Sequence, residues 1–92
     1  LPPEIKAVNI HDKKNIRGYK TIKIKLTDDI SGIKKYRSEI NGHWALTEYD
    51  AKNDLLLCYP GRTAVRDSVN TYHLKVEDNN HNSSEYSVTF EY

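Results

Sequence analysis

Five acidic and amide side chains lie in two short polar segments of this chain, and their oxygen atoms have the chemistry that calcium prefers. They are Asp28, Asp29, Asp78, Asn80 and Asn82. Each segment follows a stretch of alternating apolar and polar residues, so a sandwich of sheets could bring both segments to one end. The simpler interpretation, which we favour, is that these short side chains cap their own turns by hydrogen bonding to nearby backbone groups.

The spacing of the other reactive residues favours no second chemistry. Structural zinc sites need clustered ligands, whereas His11, His43, His73 and His81 are scattered along the chain. Cys58, the single cysteine, lies inside an apolar run, which predicts a buried structural thiol. The sequence has neither a Ser-His-Asp order nor a glycine-rich phosphate loop. We therefore expect no catalytic residue and no cofactor in this chain.

The aromatic residues suggest another kind of site, a surface for a sugar or a partner. The chain has seven tyrosines and one tryptophan. Trp44 and Tyr49 are the candidates for a ligand surface, since aromatic rings combine a large apolar face with a polar edge. Core packing is the favoured interpretation of Trp44, because alternation places it on the same strand face as Leu46.

Length and composition describe one small globular domain. The 92 residues suffice for one modest core, and 37% hydrophobic with 29% charged residues is typical of a folded, soluble chain. The net charge of +1 argues against a nucleic-acid partner. No apolar run approaches the roughly 18 residues of a membrane span. We expect a single domain over residues 1–92, with residues 1–3 as the remnant of a linker.

Lysine-rich strand faces are the one charged surface that the pattern indicates. They comprise Lys20, Lys23, Lys25, Lys34, Lys35 and Arg37. Such a surface could hold an anionic polymer, but pairing with glutamates on neighbouring strands is the favoured interpretation.

Period-two alternation predicts strands and no main helix. Seven strands are expected, over residues 4–10, 19–26, 33–41, 43–50, 54–59, 72–77 and 86–92. Asn41-Gly42 predicts a type I′ hairpin turn, because both residues accept positive φ. Ile33 and Tyr36 are out of period, which indicates a bulge. The stretch 60–70 is interpreted as a long connection between two sheets, with a short helical turn left open.

This pattern is typical of an all-β fold, an immunoglobulin-like or fibronectin type III-like antiparallel β-sandwich of about seven strands. The disulfide and tryptophan of antibody domains are missing. The predicted core consists of Ile22, Ile24, Leu26, Tyr36, Ile40, Trp44, Leu46, Leu55, Leu57, Leu74, Val76, Val88 and Phe90.

Four segments resemble one family over residues 28–92. They are the Asp-x-x-Ser-Gly-Ile motif at 28–33, Ile-Asn-Gly-His-Trp-Ala-Leu at 40–46, Glu-Tyr-Asp-Ala-Lys-Asn-Asp-Leu at 48–55, and the segment 73–82. The chain resembles the immunoglobulin-like domain C-terminal to the catalytic domain in secreted Gram-negative zinc peptidases of the lysostaphin type, which cleave peptidoglycan cross-links. Their His-x-x-x-Asp and His-x-His zinc motifs are absent from this sequence.

The resemblance implies structural roles for individual residues. Trp44 and Tyr49 would serve packing, and Asp78 and Asn82 would form the turn before the last strand. His81 stands where the family's loop often has glycine.

The function that the resemblance implies is that of a non-catalytic accessory domain of a secreted, periplasmic or cell-surface protein. Its expected partners are the catalytic domain of the parent protein and peptidoglycan or another glycan. Two alternatives stay open. A carbohydrate-binding module predicts two or more exposed aromatic residues in a row on one sheet, and an adhesion or assembly module without an enzyme predicts tandem repeats in the parent chain.

Overall fold

Alternating apolar and polar residues build two facing sheets. The computed structural model describes residues 3–27 and 32–92. Within these residues lie nine strands: β1 (Glu4–Ala7), β2 (Lys14–Asn15), β3 (Ile22–Thr27), β4 (Ile33–Ile40), β5 (His43–Trp44), β6 (Thr47–Asp50), β7 (Leu55–Cys58), β8 (Val69–Asp78) and β9 (Ser83–Glu91). A 3₁₀ helix, Pro60–Arg62, lies between β7 and β8. The predicted all-β sandwich is confirmed.

The structure differs from the prediction in two respects, namely one parallel strand pair and a larger number of strands. One sheet has the order β1-β3-β7-β6 and the other β2-β9-β8-β4-β5 across the described part of the chain. All neighbours are antiparallel except β2, which runs parallel to β9. Strands β2 and β5 have two residues each, too few for alternation to reveal them as separate strands. The described residues therefore form nine strands where the sequence predicts about seven.

The core lies between the sheets, and β3 shows how the sequence builds it. Its three apolar side chains are buried, whereas Lys23 and Lys25 between them are exposed. Full burial of such a side chain stabilises the fold by about 1.5–3 kcal/mol. The predicted core is confirmed at Ile22, Ile24, Leu26, Ile40, Leu74, Val76, Val88 and Phe90. Tyr36 is half-buried and packs against these residues.

On β7 the predicted core face is wrong. Leu56 and Cys58 are buried, whereas Leu55 and Leu57 are only half-buried. The register explains this, since Cys58 lies opposite Ile22 and Leu56 opposite Ile24, and residues opposite each other share a face. A run of four apolar residues has no alternation, so the sequence does not indicate which face is buried.

The predicted strand 43–50 is divided, because the chain crosses there from one sheet to the other. β5 pairs with β4, and β6 pairs with β7 in the opposite sheet. Ala45, between them, is buried, and its N–H donates to the carbonyl oxygen of Ser38 at 2.9 Å. Trp44 and Leu46 are 57% and 53% exposed, so their assignment to the core is wrong.

The predicted turns and the connection between the sheets are confirmed. Asn41 and Gly42 join β4 to β5 with φ angles of +56° and +82°, as a type I′ turn requires. A register shift between Ile33 and Lys35 marks the predicted bulge. The connection between the sheets runs through the 3₁₀ helix to residue 68, and β8 begins at Val69.

Alanine substitutions at Leu56 and Leu57 test the face of β7. Leu56 is fully buried, so Leu56→Ala leaves a cavity and is expected to lower the free energy of unfolding by about 2–5 kcal/mol. Leu57→Ala is the matched control, and we expect it to cost about 1 kcal/mol. Urea denaturation measures both. Equal losses, or a larger loss at Leu57, would contradict the observed register.

Candidate binding groove

A groove lies at the end of the sandwich where β3 and β6 begin and β7 ends. The register places the ends of these strands side by side, since Cys58 lies opposite both Ile22 and Thr47. In the other sheet, β8 begins where β9 ends, because Val69 lies opposite Glu91, and Tyr92, which follows β9, lines the groove. The connection that leaves β7 joins the two sheets there and forms part of the groove.

Aromatic side chains dominate the lining of this groove. It has a volume of about 660 Å³, within the range of about 300–1,000 Å³ that is typical of small-molecule sites. Its lining comprises Tyr19, Lys20, Trp44, Leu46, Tyr59, Gly61, Thr63 and Tyr92. We call this feature the aromatic groove. Its residues come from four separate parts of the chain, which the fold brings together.

The sheet crossing holds Trp44 and Leu46 in the groove. Trp44 pairs with Glu39 on β4, and the N–H of Tyr59 donates to the carbonyl oxygen of Leu46 at 2.9 Å. The backbone is thus fixed on both sides of Ala45, while the two large apolar side chains remain more than half exposed. Trp44 is a predicted ligand residue, and the structure places it in the lining.

Tyr59 and the 3₁₀ helix form a second wall. The N–H groups of Thr63 and Ala64 donate to the carbonyl oxygen of Pro60 at 3.0 and 2.8 Å, which closes the turn. The hydroxyl of Tyr59 donates a hydrogen bond to the carboxylate of Glu48, and this bond raises the pKa of the phenol. The phenol therefore stays neutral at pH 7, and because Glu48 engages its hydrogen, its oxygen is left to accept a further hydrogen bond.

Buried Asn70 holds the rest of this connection in place. Its side-chain oxygen accepts from the N–H of Val65 at 2.7 Å, and its amide nitrogen donates to the carbonyl oxygens of Val65 and Ser68, each at 3.0 Å. Asn41 in the hairpin turn donates to the same oxygen at 2.8 Å. The segment that includes Gly61 and Thr63 is therefore fixed by hydrogen bonds rather than by apolar packing alone.

Tyr19 and Tyr92 complete the lining from the other side. The ammonium of Lys14 lies 5.6 Å from the ring centroid of Tyr19, a cation–π contact. The N–H of Asp67 donates to the carbonyl oxygen of Tyr92 at 2.7 Å. A Cβ atom at Gly61 would lie 3.6 Å from the hydroxyl oxygen of Tyr92, so the ring tip rests against this glycine.

Tyr49, the other predicted ligand residue, lies outside the aromatic groove. Its ring packs against Tyr36 across the sandwich, with 5.9 Å between centroids and 58° between planes. Tyr49 lies opposite buried Leu56, and Tyr36 lies opposite buried Val76, so both rings face the interior. The fold does not bring Trp44 and Tyr49 together in one lining.

The calcium candidates divide between described and undescribed residues. Asp28 and Asp29 lie outside the described residues, so their part of the prediction stays a prediction. Asp78 is buried, and its Oδ1 accepts from the N–H groups of Asn80 and Asn82, both at 2.9 Å. The side-chain amide of Asn82 donates to the other carboxylate oxygen at 3.3 Å. These side chains cap their own turn, as the favoured interpretation expects.

The pKa of Asp78 reflects this cap. Burial alone would raise the pKa, but the hydrogen bonds from the backbone of Asn82 and Asn80 and from the side chain of Asn82 together lower it below the ordinary value. The carboxyl group is therefore ionised at neutral pH, and the donors of Asn80 and Asn82 in its own loop hydrogen-bond to its oxygens. Among the described residues, no group of three histidine, cysteine or acidic side chains could hold a metal ion.

One hydrogen-bonded chain of reactive side chains was not predicted from the sequence. His73 Nδ1 lies 2.7 Å from Ser87 Oγ, and His73 Nε2 lies 3.1 Å from Glu85 Oε1. These residues are far apart in sequence, and only the pairing of His73 with Ser87 across β8 and β9 joins them. The side chains of His73 and Glu85 are 36% and 59% exposed on the outer face of the sheet. We assign the arrangement to cross-strand stabilisation.

Cys58 has the environment of a structural thiol. It is fully buried, and burial raises its pKa above the ordinary value against the weaker effect of Thr47 and Ser38. The thiol stays protonated, which makes it a poor nucleophile. The predicted buried thiol is confirmed.

Comparison with known proteins gives no family, since no family model and no curated protein matches this chain. Across residues 3–27 and 32–92, no helix has the length and apolar character needed to cross a bilayer.

Fluorescence of Trp44 tests whether the groove is open. Trp44 is the one tryptophan, so its emission has a single source. Because the side chain is 57% exposed, we expect iodide and acrylamide to quench the folded protein nearly as strongly as the unfolded protein. Trp44→Ala should lower the free energy of unfolding by less than about 1 kcal/mol, against about 3–5 kcal/mol for a core tryptophan. Strong protection from both quenchers would contradict the open groove.

The cap of Asp78 predicts how stability depends on pH. Its folded pKa lies below the unfolded value of about 3.9, so its contribution is fully present above pH about 4 and is lost as the pH falls through the folded pKa. Asp78→Asn should lower the melting temperature at pH 7, and its difference from the unmodified chain should shrink in acid. Asp67→Asn, at an exposed ion pair, is the control. A difference that is the same at pH 7 and pH 3 would refute this account.

Proposed function

We propose that this chain is a non-catalytic, immunoglobulin-like accessory domain of a secreted or cell-envelope bacterial protein with a peptidoglycan-cleaving zinc peptidase domain. Its role is to dock the parent protein to a glycan of the cell wall through the aromatic groove. The observation on which this proposal rests is the open groove with aromatic residues on several sides.

The strand order supports the immunoglobulin-like class. In the constant-type immunoglobulin sandwich, strands A, B, E and D form one sheet and strands C, F and G the other. The orders β1-β3-β7-β6 and β9-β8-β4 correspond to A-B-E-D and G-F-C. The additional strands β2 and β5 extend the second sheet at its two edges.

The loop between β8 and β9 supports the family resemblance. His81 stands where the family's loop often has glycine, and its φ angle is +65°. This is the left-handed conformation that glycine adopts without strain. The chain thus keeps the backbone conformation that glycine would favour while changing the side chain.

The shape and chemistry of the groove favour a saccharide over a flat protein surface. A pyranose ring presents C–H groups on its faces, which pack on aromatic rings, and hydroxyl groups at its edge. Trp44, Tyr19, Tyr59 and Tyr92 supply the ring surfaces, and the Thr63 hydroxyl and the tyrosine hydroxyls supply polar partners. Tyrosine and tryptophan give large contact areas at a low cost in conformational entropy.

The groove also lies at the opposite end of the sandwich from residue 3. The hydroxyl of Ser84 donates to the carbonyl oxygen of Pro3, and Glu4 lies opposite Thr27, where β3 ends. The aromatic groove is at the end where β3 begins, and the long dimension of the domain is 41 Å. A catalytic domain joined through residue 3 would therefore leave the groove open to a ligand.

Exposed apolar residues give one observation in favour of a protein partner instead. Trp44 and Leu46 are both more than half exposed, and tryptophan is enriched among the residues that contribute most to protein interfaces. In the adhesion or assembly alternative, a neighbouring module occupies the groove. The experiment must therefore distinguish this alternative from glycan binding.

Titration with soluble saccharides tests the proposed function. Soluble muropeptides and a neutral oligosaccharide of N-acetylglucosamine are added to the chain, and Trp44 emission and heat of binding are recorded. We expect saturable binding that Trp44→Ala weakens about 10-fold or more, the effect of losing an aromatic residue at the centre of a site. Val69→Ala, at a residue that is 64% exposed and does not line the groove, is the matched control.

Two results would contradict the glycan proposal. One is a lack of binding by every saccharide at millimolar concentration. The other is tight association with the separately produced peptidase domain that Trp44→Ala abolishes and that saccharides do not compete with, since that result would identify the groove as an interface between domains.

A further inference from the structure

We propose that the aromatic groove prefers saccharides with a carboxylate group and that the ammonium of Lys20 pairs with this carboxylate. The inference rests on the proposed glycan-binding function and specifies the chemical class of the ligand. Among the described residues that line the groove, Lys20 is the one charged side chain. Among these side chains a ligand therefore meets one positive charge and no negative charge.

The ammonium of Lys20 is available for such a ligand. The ion pairs between described residues join Arg17 to Asp67, Lys35 to Glu77, Arg37 to Glu39 and His73 to Glu85. Lys20 is exposed, and it forms no ion pair with another described residue. A ligand carboxylate would thus gain an ionic partner without breaking an existing pair in this part of the chain.

The backbone on either side of Lys20 is held in place. The N–H of Tyr19 donates to the carbonyl oxygen of Ile16 at 2.9 Å. The side chain of Asn9 donates to the carbonyl oxygen of Thr21 at 3.0 Å and accepts from the N–H of Lys23 at 2.8 Å. Lys20 therefore extends into the lining from a backbone that hydrogen bonds hold on both sides.

Charged groups around the lining also favour a ligand with a carboxylate group. The ammonium of Lys14 lies 5.6 Å from the centroid of Tyr19, so a second cation borders the groove. Arg17 and Asp67 neutralise each other at 3.2 Å. The nearby carboxylate of Glu48 accepts the hydroxyl hydrogen of Tyr59. The two lysines thus place positive charge at the Tyr19 side of the groove, and a concave site strengthens such a field.

The carboxylate could belong to the sugar itself or to an attached acyl or peptide group. The shared chemistry is one pyranose ring on the aromatic surface with a carboxylate within reach of Lys20. An oligouronide has the carboxylate on the ring, and a muropeptide has it on the attached groups. Comparison of these two ligands distinguishes the sources.

The experiment measures binding of four probes by calorimetry. They are an oligouronide, a muropeptide, the same muropeptide with its carboxylates amidated, and a neutral oligosaccharide of N-acetylglucosamine. We expect a carboxylated probe to bind about fivefold more tightly than the amidated or neutral probe, the scale of an ion pair at a partly exposed site. Added salt should reduce this preference.

Three variants test whether Lys20 causes the preference for a carboxylated ligand. Lys20→Gln should remove the preference, so that carboxylated and neutral probes bind with the same affinity, and Lys20→Arg should retain the preference. Lys23→Gln, at an exposed position on the outer face of β3, is the matched control and should behave like the unmodified chain.

The outcomes separate this inference from the proposed function. If all four probes bind equally, or if Lys20→Gln keeps the preference, the inference fails while the glycan-binding function stands. If no saccharide binds, the proposed function fails and the inference fails with it. Loss of the preference in Lys20→Gln alone supports both.

Discussion

Between β5 and β6 the chain crosses from one sheet to the other, and the buried methyl group of Ala45 is the constraint on which the groove depends. From Trp44 to Glu48 exposed residues alternate with more buried ones through the crossing, so the inward position of Ala45 turns its two neighbours outward. Ala45 is 1% exposed, and a larger side chain would overpack the interior at this point. Trp44 and Leu46 must therefore point away from the core, where they become lining of the groove.

Backbone and side-chain hydrogen bonds position the remaining walls of the groove. Tyr59 continues the β6–β7 ladder past the end of β7 by donating to Leu46, and the chain then turns through the 3₁₀ helix toward β8. Asn70, which is fully buried, satisfies backbone groups of that connection in place of a regular ladder. Because buried polar groups are costly when unpaired, this network holds the connection in one conformation. A ligand would meet a groove that is largely preformed.

Local patterns predict most of the fold and little of the site. The alternation of Ile22 to Leu26 and the Asn41-Gly42 turn are local signals, and both predictions are confirmed. The run 55–58 is apolar throughout, so only the register with β3 shows that Leu56 is the inward residue. Alternation correctly places Trp44 on the same face as Leu46 but does not show that the sheet crossing turns this face to solvent. The groove joins residues 19, 44, 59 and 92, whose proximity is a tertiary property that no local pattern contains.

The most direct test of the account is an assigned NMR spectrum of the isotopically labelled chain, titrated with soluble muropeptides and, separately, with calcium. The account predicts that muropeptides shift the indole N–H of Trp44 and the amide signals of Tyr59 and Gly61, while the capped loop 78–82 at the other end stays unchanged. Muropeptide shifts that avoid the groove, or the absence of any shift at saturating concentration, would contradict the claim that this groove is the binding site of the domain.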